Sequence, residues 1–277
     1  MKNKILIYLS LIALVIIFYL TLPDNKPKVV VCDVGQGDAI LATYKNIQIL
    51  VDVGPNNKKV LKCLQNNLPF WDKTIEVVIL THGDSDHVGA LDDLRRSYKV
   101  GQFFSNGYLD EGIEQKIYSR KLSQNDIVSL GIFTFEVVWP EENVGSEASN
   151  GSQVLTDKDG NENSIAGILT VPSTILGQNW KMFLTGDMES EAEQKLVWRE
   201  ILNEPVDVLK VSHHGSNTGT SDELLDMLKP KTAVISVGKN NRFGHPTEEI
   251  LEKLKRFEIK IRRTDLEGEI EVFKVDY

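Results

Sequence analysis

Four groups able to bind a metal or move a proton fall within six residues, in Thr81-His82-Gly83-Asp84-Ser85-Asp86-His87. Imidazole nitrogen and carboxylate oxygen are donors that suit Zn²⁺ or Mn²⁺. A loop can aim such groups in several directions, so this segment can serve two ions. The other histidines are placed alike. All five (His82, His87, His213, His214 and His245) lie in short polar motifs that end or follow an apolar run, the later ones being Ser212-His213-His214-Gly215-Ser216 and Gly244-His245-Pro246. Leu184-Thr185-Gly186-Asp187 delivers a further carboxylate in the same manner. Singly, each later motif has a plainer reading: Asp187 as a helix N-cap, the double histidine as a capped turn, His245 as a loop residue fixing a helix start. Together with the first motif they point to one site, because scattered histidines would not sort to strand ends.

Those ends presuppose strands. Runs rich in Val, Ile, Phe and Thr predict strands at 29–34, 39–44, 47–53, 75–80, 133–138, 165–171, 181–184, 206–211, 232–237, 259–262 and 270–275. Helical patterns fall at 58–67, 87–98, 189–201, 222–228 and 247–257. A tight turn at Asn46 makes the opening an antiparallel meander. The strand–helix alternation that follows predicts two packed sheets with helices outside. The polar stretch 141–163 reads as a long loop, and no string repeats along the chain.

Ahead of this domain, residues 5–22 are almost continuously apolar, with Lys2 and Lys4 before them. Eighteen helical residues reach about 27 Å, enough to span a bilayer core. No small-x-small cleavage pattern follows, so a membrane anchor over residues 1–27, with its linker, is preferred to a cleaved signal. The basic N-terminus places the following domain outside the cytoplasm. The 277 residues are 41% hydrophobic with a net charge of −9, which excludes a disordered chain and a surface that binds polyanions everywhere. One basic run, Lys253, Lys255, Arg256, Lys260, Arg262 and Arg263, offers either a backbone-tracking groove or, preferably, a solvated helix face and edge strand. Cys32 and Cys63 read as small core residues rather than ligands, and whether they pair is not legible.

In order along the chain stand Asp33-Val34-Gly35-Gln36-Gly37-Asp38-Ala39, Leu50-Val51-Asp52-Val53-Gly54, the His82–His87 motif, Leu184-Thr185-Gly186-Asp187, Lys210-Val211-Ser212-His213-His214-Gly215-Ser216 and Gly244-His245-Pro246. With these the chain resembles the metallo-β-lactamase superfamily and, within it, the hydrolase domain of ComEC-type DNA-uptake competence proteins. The resemblance covers 28–277 and implies an α/β fold, an αββα sandwich with a two-metal site at one edge, preceded here by the single N-terminal transmembrane helix. It implies that His82 and Asp84 hold one divalent ion, that Asp86 and His87 hold a second, and that Asp187 bridges them. One of His213 and His214, preferably His214, completes the set, and the ions are Zn or Mn. Asp86 and His245 are the residues it makes catalytic, His245 contacting or protonating the substrate. Asp33 and Asp38 line the pocket or hold the Gly-rich turn, and Asp52 buttresses the first motif.

Two departures matter. Asp84 stands where most members carry His, and the segment before Asp187 offers Asn161, Asn163 and Ser164 instead of a further His. The site is thereby richer in oxygen, which favours Mn²⁺. No other segment reads as membrane-spanning, so DNA transport is not carried over. The expected function is an extracytoplasmic phosphodiesterase or nuclease, anchored to the cell membrane, that acts on DNA by a metal-activated water. Single-stranded DNA and a separate membrane channel subunit are the partners this suggests. The alternatives are a hydrolase of another ester, a lactone or a thioester, and a catalytically silent metal-stabilised binding protein.

Overall fold

Side chains alternate across a strand, and most central strands here are apolar on both faces, so each sheet must be covered twice. The computed structural model describes residues 2–20, 25–107, 109, 111–115, 117–142, 161–172, 177–199, 202 and 204–274, with backbone alone for 2, 3, 16–20 and 111. The strands are β1 (Lys28–Val31), β2 (Ile40–Tyr44), β3 (Ile47–Val51), β4 (Thr74–Leu80), β5 (Lys99–Ser105), β6 (Ser119–Lys121), β7 (Ile127–Leu130), β8 (Phe133–Trp139), β9 (Ala166–Val171), β10 (Trp180–Leu184), β11 (Val208–Lys210), β12 (Thr232–Ile235), β13 (Lys260–Arg263) and β14 (Ile270–Lys274). Among the described residues they form two seven-stranded sheets, β14-β1-β2-β3-β4-β5-β6 and β13-β12-β11-β10-β9-β8-β7.

Starting from β14 in one sheet and β7 in the other, three antiparallel pairings are followed by three parallel ones. The sheets are thus topologically equivalent, β3 matching β10 and β4 matching β11, although no repeated string announces it. Val29, Val31, Ile49 and Ile79 from one sheet meet Phe135, Leu169, Met182 and Val234 from the other in the central core. The outer faces are covered by helices: α1 (Lys2–Leu20), α3 (Ser85–Val88), α5 (Glu111–Glu114) and α9 (Thr264–Glu267) aside, α2 (Lys59–Asn67) and α4 (Leu91–Ser97) lie on Val30, Leu41 and Val78. On the other side α6 (Ser190–Trp198), α7 (Asp222–Leu228) and α8 (Glu248–Arg256) lie on Phe183, Leu209 and Ile235. Ser221 and Thr247 cap α7 and α8 by accepting from the Leu224 and Ile250 N–H groups. The order of layers is α, β, β, α.

Several expectations need correction. Three strands, β5, β6 and β7, were not expected; their polar, half-exposed residues, such as Lys99, Gln102, Ser119 and Arg120, carry little β signal. The helix expected at 87–98 breaks at Gly89-Ala90, where a Cβ on Gly89 would lie 2.7 Å from the Asn56 backbone nitrogen. Cys32 and Cys63 are buried, as core residues should be, but they form a disulfide that ties the end of β1 to α2. Of the polar stretch 141–163, residues 143–160 lie outside the described residues, as do residue 1 and residues 21–24 of the expected anchor and its linker. Helix α1 exposes Ile5, Leu6, Leu9, Leu14 and Val15, and among the described residues no helix is long and apolar enough to cross a membrane.

Candidate metal centre

The parallel strands β3, β4, β10, β11 and β12 all run toward one edge of the sandwich, the edge where open α/β sheets carry their sites. Asp52 follows β3 and His82 follows β4, while Asp187 follows β10 and the double histidine follows β11. The chemistry therefore leaves topologically equivalent strands of the two sheets.

The first motif bends out of β4 into α3. Asp84 takes an extended backbone before α3 without capping it, and its carboxylate, 57% exposed, stands 3.7 Å from His82 Nε2. His87 is fully buried and its ring lies 4.1 Å from that of His82. Across the edge, the backbone turns through the left-handed region at both His213 (φ 44°) and His214 (φ 55°). Two such residues together cost about 1–3 kcal/mol each, the kind of strain found at functional sites. The turn sends the two rings apart: His214 points inward and is buried, whereas His213 stays part-exposed with Nδ1 3.1 Å from Glu189 Oε1.

Donor atoms of Asp86, His87, Asp187 and His214 all lie within 4.8 Å of one another. Asp187 Oδ2 is 3.3 Å from Nε2 of both His87 and His214, and Asp86 Oδ2 is 3.3 Å from His214 Nε2. Each buried imidazole is held at its other nitrogen. His87 Nδ1 lies 2.8 Å from Asp52 Oδ2, His214 Nδ1 2.9 Å from the Ser236 carbonyl, and His82 Nδ1 3.0 Å from the Thr81 hydroxyl. Nε2 of His82, His87 and His214 is buried without a hydrogen bond. Imidazoles oriented from behind with a bare nitrogen turned inward are what metal ligands look like, and the residues fit a divalent-metal centre.

Asp52, Asp38 and His87 form a second close group. It is better explained without an ion. Asp52 also accepts from the Thr81 N–H and hydroxyl at 2.8 Å, and Asp38 Oδ2 lies 2.5 Å from Lys210 Nζ. Lys210 was missed in the sequence. It is 1% exposed, donates to the Gly186 carbonyl at 3.0 Å and approaches Asp187 Oδ1 at 3.5 Å. A lysine inside the apolar run Val208-Leu209-Lys210-Val211 was the signal, since such a charge must find carboxylates. Ser164, where a further histidine is absent, accepts from the Asp187 N–H at 3.1 Å and lies 3.3 Å from His82 Nδ1.

Two glycines make this packing possible. A Cβ on Gly37 (φ +129°) would fall 2.1 Å from the Asp86 carbonyl oxygen, and one on Gly186 (φ +52°) 2.1 Å from Ser164 Oγ. Electrostatics follow the geometry. Burial works against a charge on His214, but Asp187, Asp86 and Asp38 outweigh it and push its pKa up to about 9. His87 is raised in the same way, against burial, by Asp187 and Asp52. Burial opposes ionisation of Asp187, yet His214, His87 and Lys210 hold it well below the usual carboxylate range.

His245 stands at the rim, its ring 5.8 Å from that of His213 and outside the tight group. Asp33 pairs with Lys59 at 3.1 Å and is not one of the grouped residues. The basic run is largely neutralised, because Lys253 and Arg256 meet Asp222, Lys255 meets Glu248, Arg262 meets Glu267 and Arg263 meets Asp265. The solvated-face reading is the one this supports.

Comparison with known proteins gives a coherent picture. The model of the metallo-beta-lactamase superfamily matches residues 32–161. ComE operon protein 3 of Bacillus subtilis is 31% identical over 281 aligned residues, which cover 90% of this chain and 33% of that protein. Competence protein ComA of Neisseria gonorrhoeae is 27% identical, with 90% of this chain and 32% of that protein covered. The chain thus spans about a third of the length of these relatives. Among solved structures, the metallo-beta-lactamase fold protein YhfI from Bacillus subtilis aligns with a TM-score of 0.59 at 15% identity, over 88% of this chain and 99% of that one, a likeness of fold.

Proposed function

From a chain that carries a metallo-β-lactamase domain we propose a metal-dependent hydrolase that cleaves phosphodiester bonds of DNA outside the cytoplasm. The observation that carries the reading is the convergence of the bare, buried Nε2 atoms of His87 and His214 with Asp86 and Asp187 from both sheets, with the bare Nε2 of His82 facing Asp84 beside them. The competence-protein relatives point to DNA as the polymer handled. His82 and Asp84 would hold one divalent ion; Asp86, His87 and His214 would hold another, with Asp187 between them. When bound, such a pair, Zn²⁺ or Mn²⁺, supplies an activated water and neutralises charge that builds on a phosphoryl group.

The protein's own groups do the rest. Asp52, Ser236 and Thr81 hold the imidazoles in one orientation, and Lys210 keeps Asp187 ionised and in place. Burial, with His213 and His214 nearby, lowers the pKa of His245, so at neutral pH it is uncharged and free to exchange hydrogen bonds with substrate at the rim. The disulfide favours an oxidising compartment, and the exposed apolar side chains of α1 suit attachment to a membrane. A separate membrane channel would be the partner in any transport.

The test is cleavage of a labelled single-stranded oligonucleotide by purified full-length protein with Mn²⁺ or Zn²⁺. Cleavage that disappears in Asp187→Ala supports the reading. A metal-loaded protein inert toward every phosphodiester offered, yet active on a lactone or thioester, overturns it.

A further inference from the structure

Between β12 and α8 the chain makes a rim loop, Lys239-Asn240-Asn241-Arg242-Phe243-Gly244-His245. Asn241 clamps it from inside. Its Oδ1 accepts from the Phe243 and His245 N–H groups, both at 3.1 Å, and its Nδ2 donates to the Gly238 and His245 carbonyls at 3.1 and 2.6 Å. A loop pinned at four points does not collapse onto the protein, and Phe243 stays 53% exposed. One exposed apolar residue means little by itself.

Two further features set Phe243 apart. The Arg242 guanidinium carbon lies 5.1 Å over its ring, joining a positive charge to the aromatic surface. Rings also lead from it to the metal centre in steps of similar length: Phe243 to His245 5.9 Å, His245 to His213 5.8 Å, His213 to His214 6.2 Å. The first of these is a stacked pair with 27° between the planes.

We propose that Phe243 and Arg242 form a base-stacking platform beside the metal centre, which makes single-stranded nucleic acid the preferred substrate. The inference rests on the phosphodiesterase reading and adds a specificity to it. A phosphodiester entering between His245 and the cluster brings a neighbouring nucleoside over the rim. An unpaired base offers a π face to Phe243, while Arg242 meets the adjoining phosphate or shares the stack. Duplex DNA keeps its bases inside the helix, and a phospholipid head group has none. Aromatic stacking tolerates any base, so the platform selects strandedness and not sequence.

The experiment compares wild type, Phe243→Ala and Phe243→Trp, loaded with Mn²⁺, on a single-stranded oligonucleotide and on the same strand with its central nucleotides abasic. Stacking of one base corresponds to a loss of roughly 5- to 150-fold in kcat/KM for Phe243→Ala on the normal strand. The loss is expected in KM, Phe243→Trp should restore it, and wild type and Phe243→Ala should converge on the abasic strand. If Phe243→Ala cleaves the normal strand as well as wild type does, or loses equally on both strands, the platform is refuted and the phosphodiesterase stands. If wild type cleaves neither strand, the phosphodiesterase reading fails first and the platform with it.

Discussion

At the scale of single residues, the centre depends on hydrogen bonds made behind the ligands. Asp52 accepts from Thr81 and faces His87 Nδ1, which leaves the inward nitrogen of His87 free to donate electrons. Asp52→Asn presents an amide N–H to the same ring or loses the Thr81 contacts, and either change disorders the tautomer. Metal affinity should fall about 10- to 100-fold with the fold retained, measured by competition with a chelating dye. The metal-free protein should also show a distinctive pH response. His214, raised to about 9 from an ordinary 6.5, contributes stability that is complete below pH 6.5 and disappears as pH climbs through 9. Melting temperature without metal should therefore fall over that interval, and loading at pH 7 should expel protons from His87 and His214 into a weakly buffered solution. An unchanged melting temperature from pH 6.5 to 9 would contradict this.

At the scale of elements, the disulfide fastens α2 to the strand that leads into the Asp33–Asp38 turn. It spans 31 residues, a loop whose closure is worth about 3–4 kcal/mol in the chain-entropy account. Cys63→Ser should lower unfolding stability by that order in urea, whereas Cys32→Ala/Cys63→Ala in a reducing buffer should differ little from the reduced wild type. The pairing was invisible in the sequence because it depends on α2 lying across β1, a relation made by tertiary packing. What the sequence does display are strand ends: Asp52, His82, Asp187 and His214 were legible because each follows an apolar run. The inward and outward split of His213 and His214 was not, since two left-handed residues in succession have no signature beyond the following Gly215. Lys210 was overlooked for the opposite reason. Its run reads as a strand, and the carboxylates that its charge meets, Asp38 and Asp187, lie far off in the sequence.

At the scale of the whole molecule, the candidate ligands come from both sheets, so a bound ion joins two layers otherwise held by apolar contact. Removal of metal with a chelator should lower the melting temperature reversibly, and readdition at 100 times the dissociation constant should return about 2.7 kcal/mol of stability. An unchanged melting temperature on readdition would show that the native fold binds no ion. In a chain of net charge −9, the basic run of the α8–β13 region is largely paired with neighbouring acids, with Arg256 on Asp222 and Arg262 on Glu267. One more property follows from β14, which pairs with β1 across almost the full length of the chain. On a ribosome β1 to β6 can assemble early, but the β1 border stays uncovered until residues 270–274 emerge. During synthesis that naked border is the place where another nascent copy, or a chaperone, would attach.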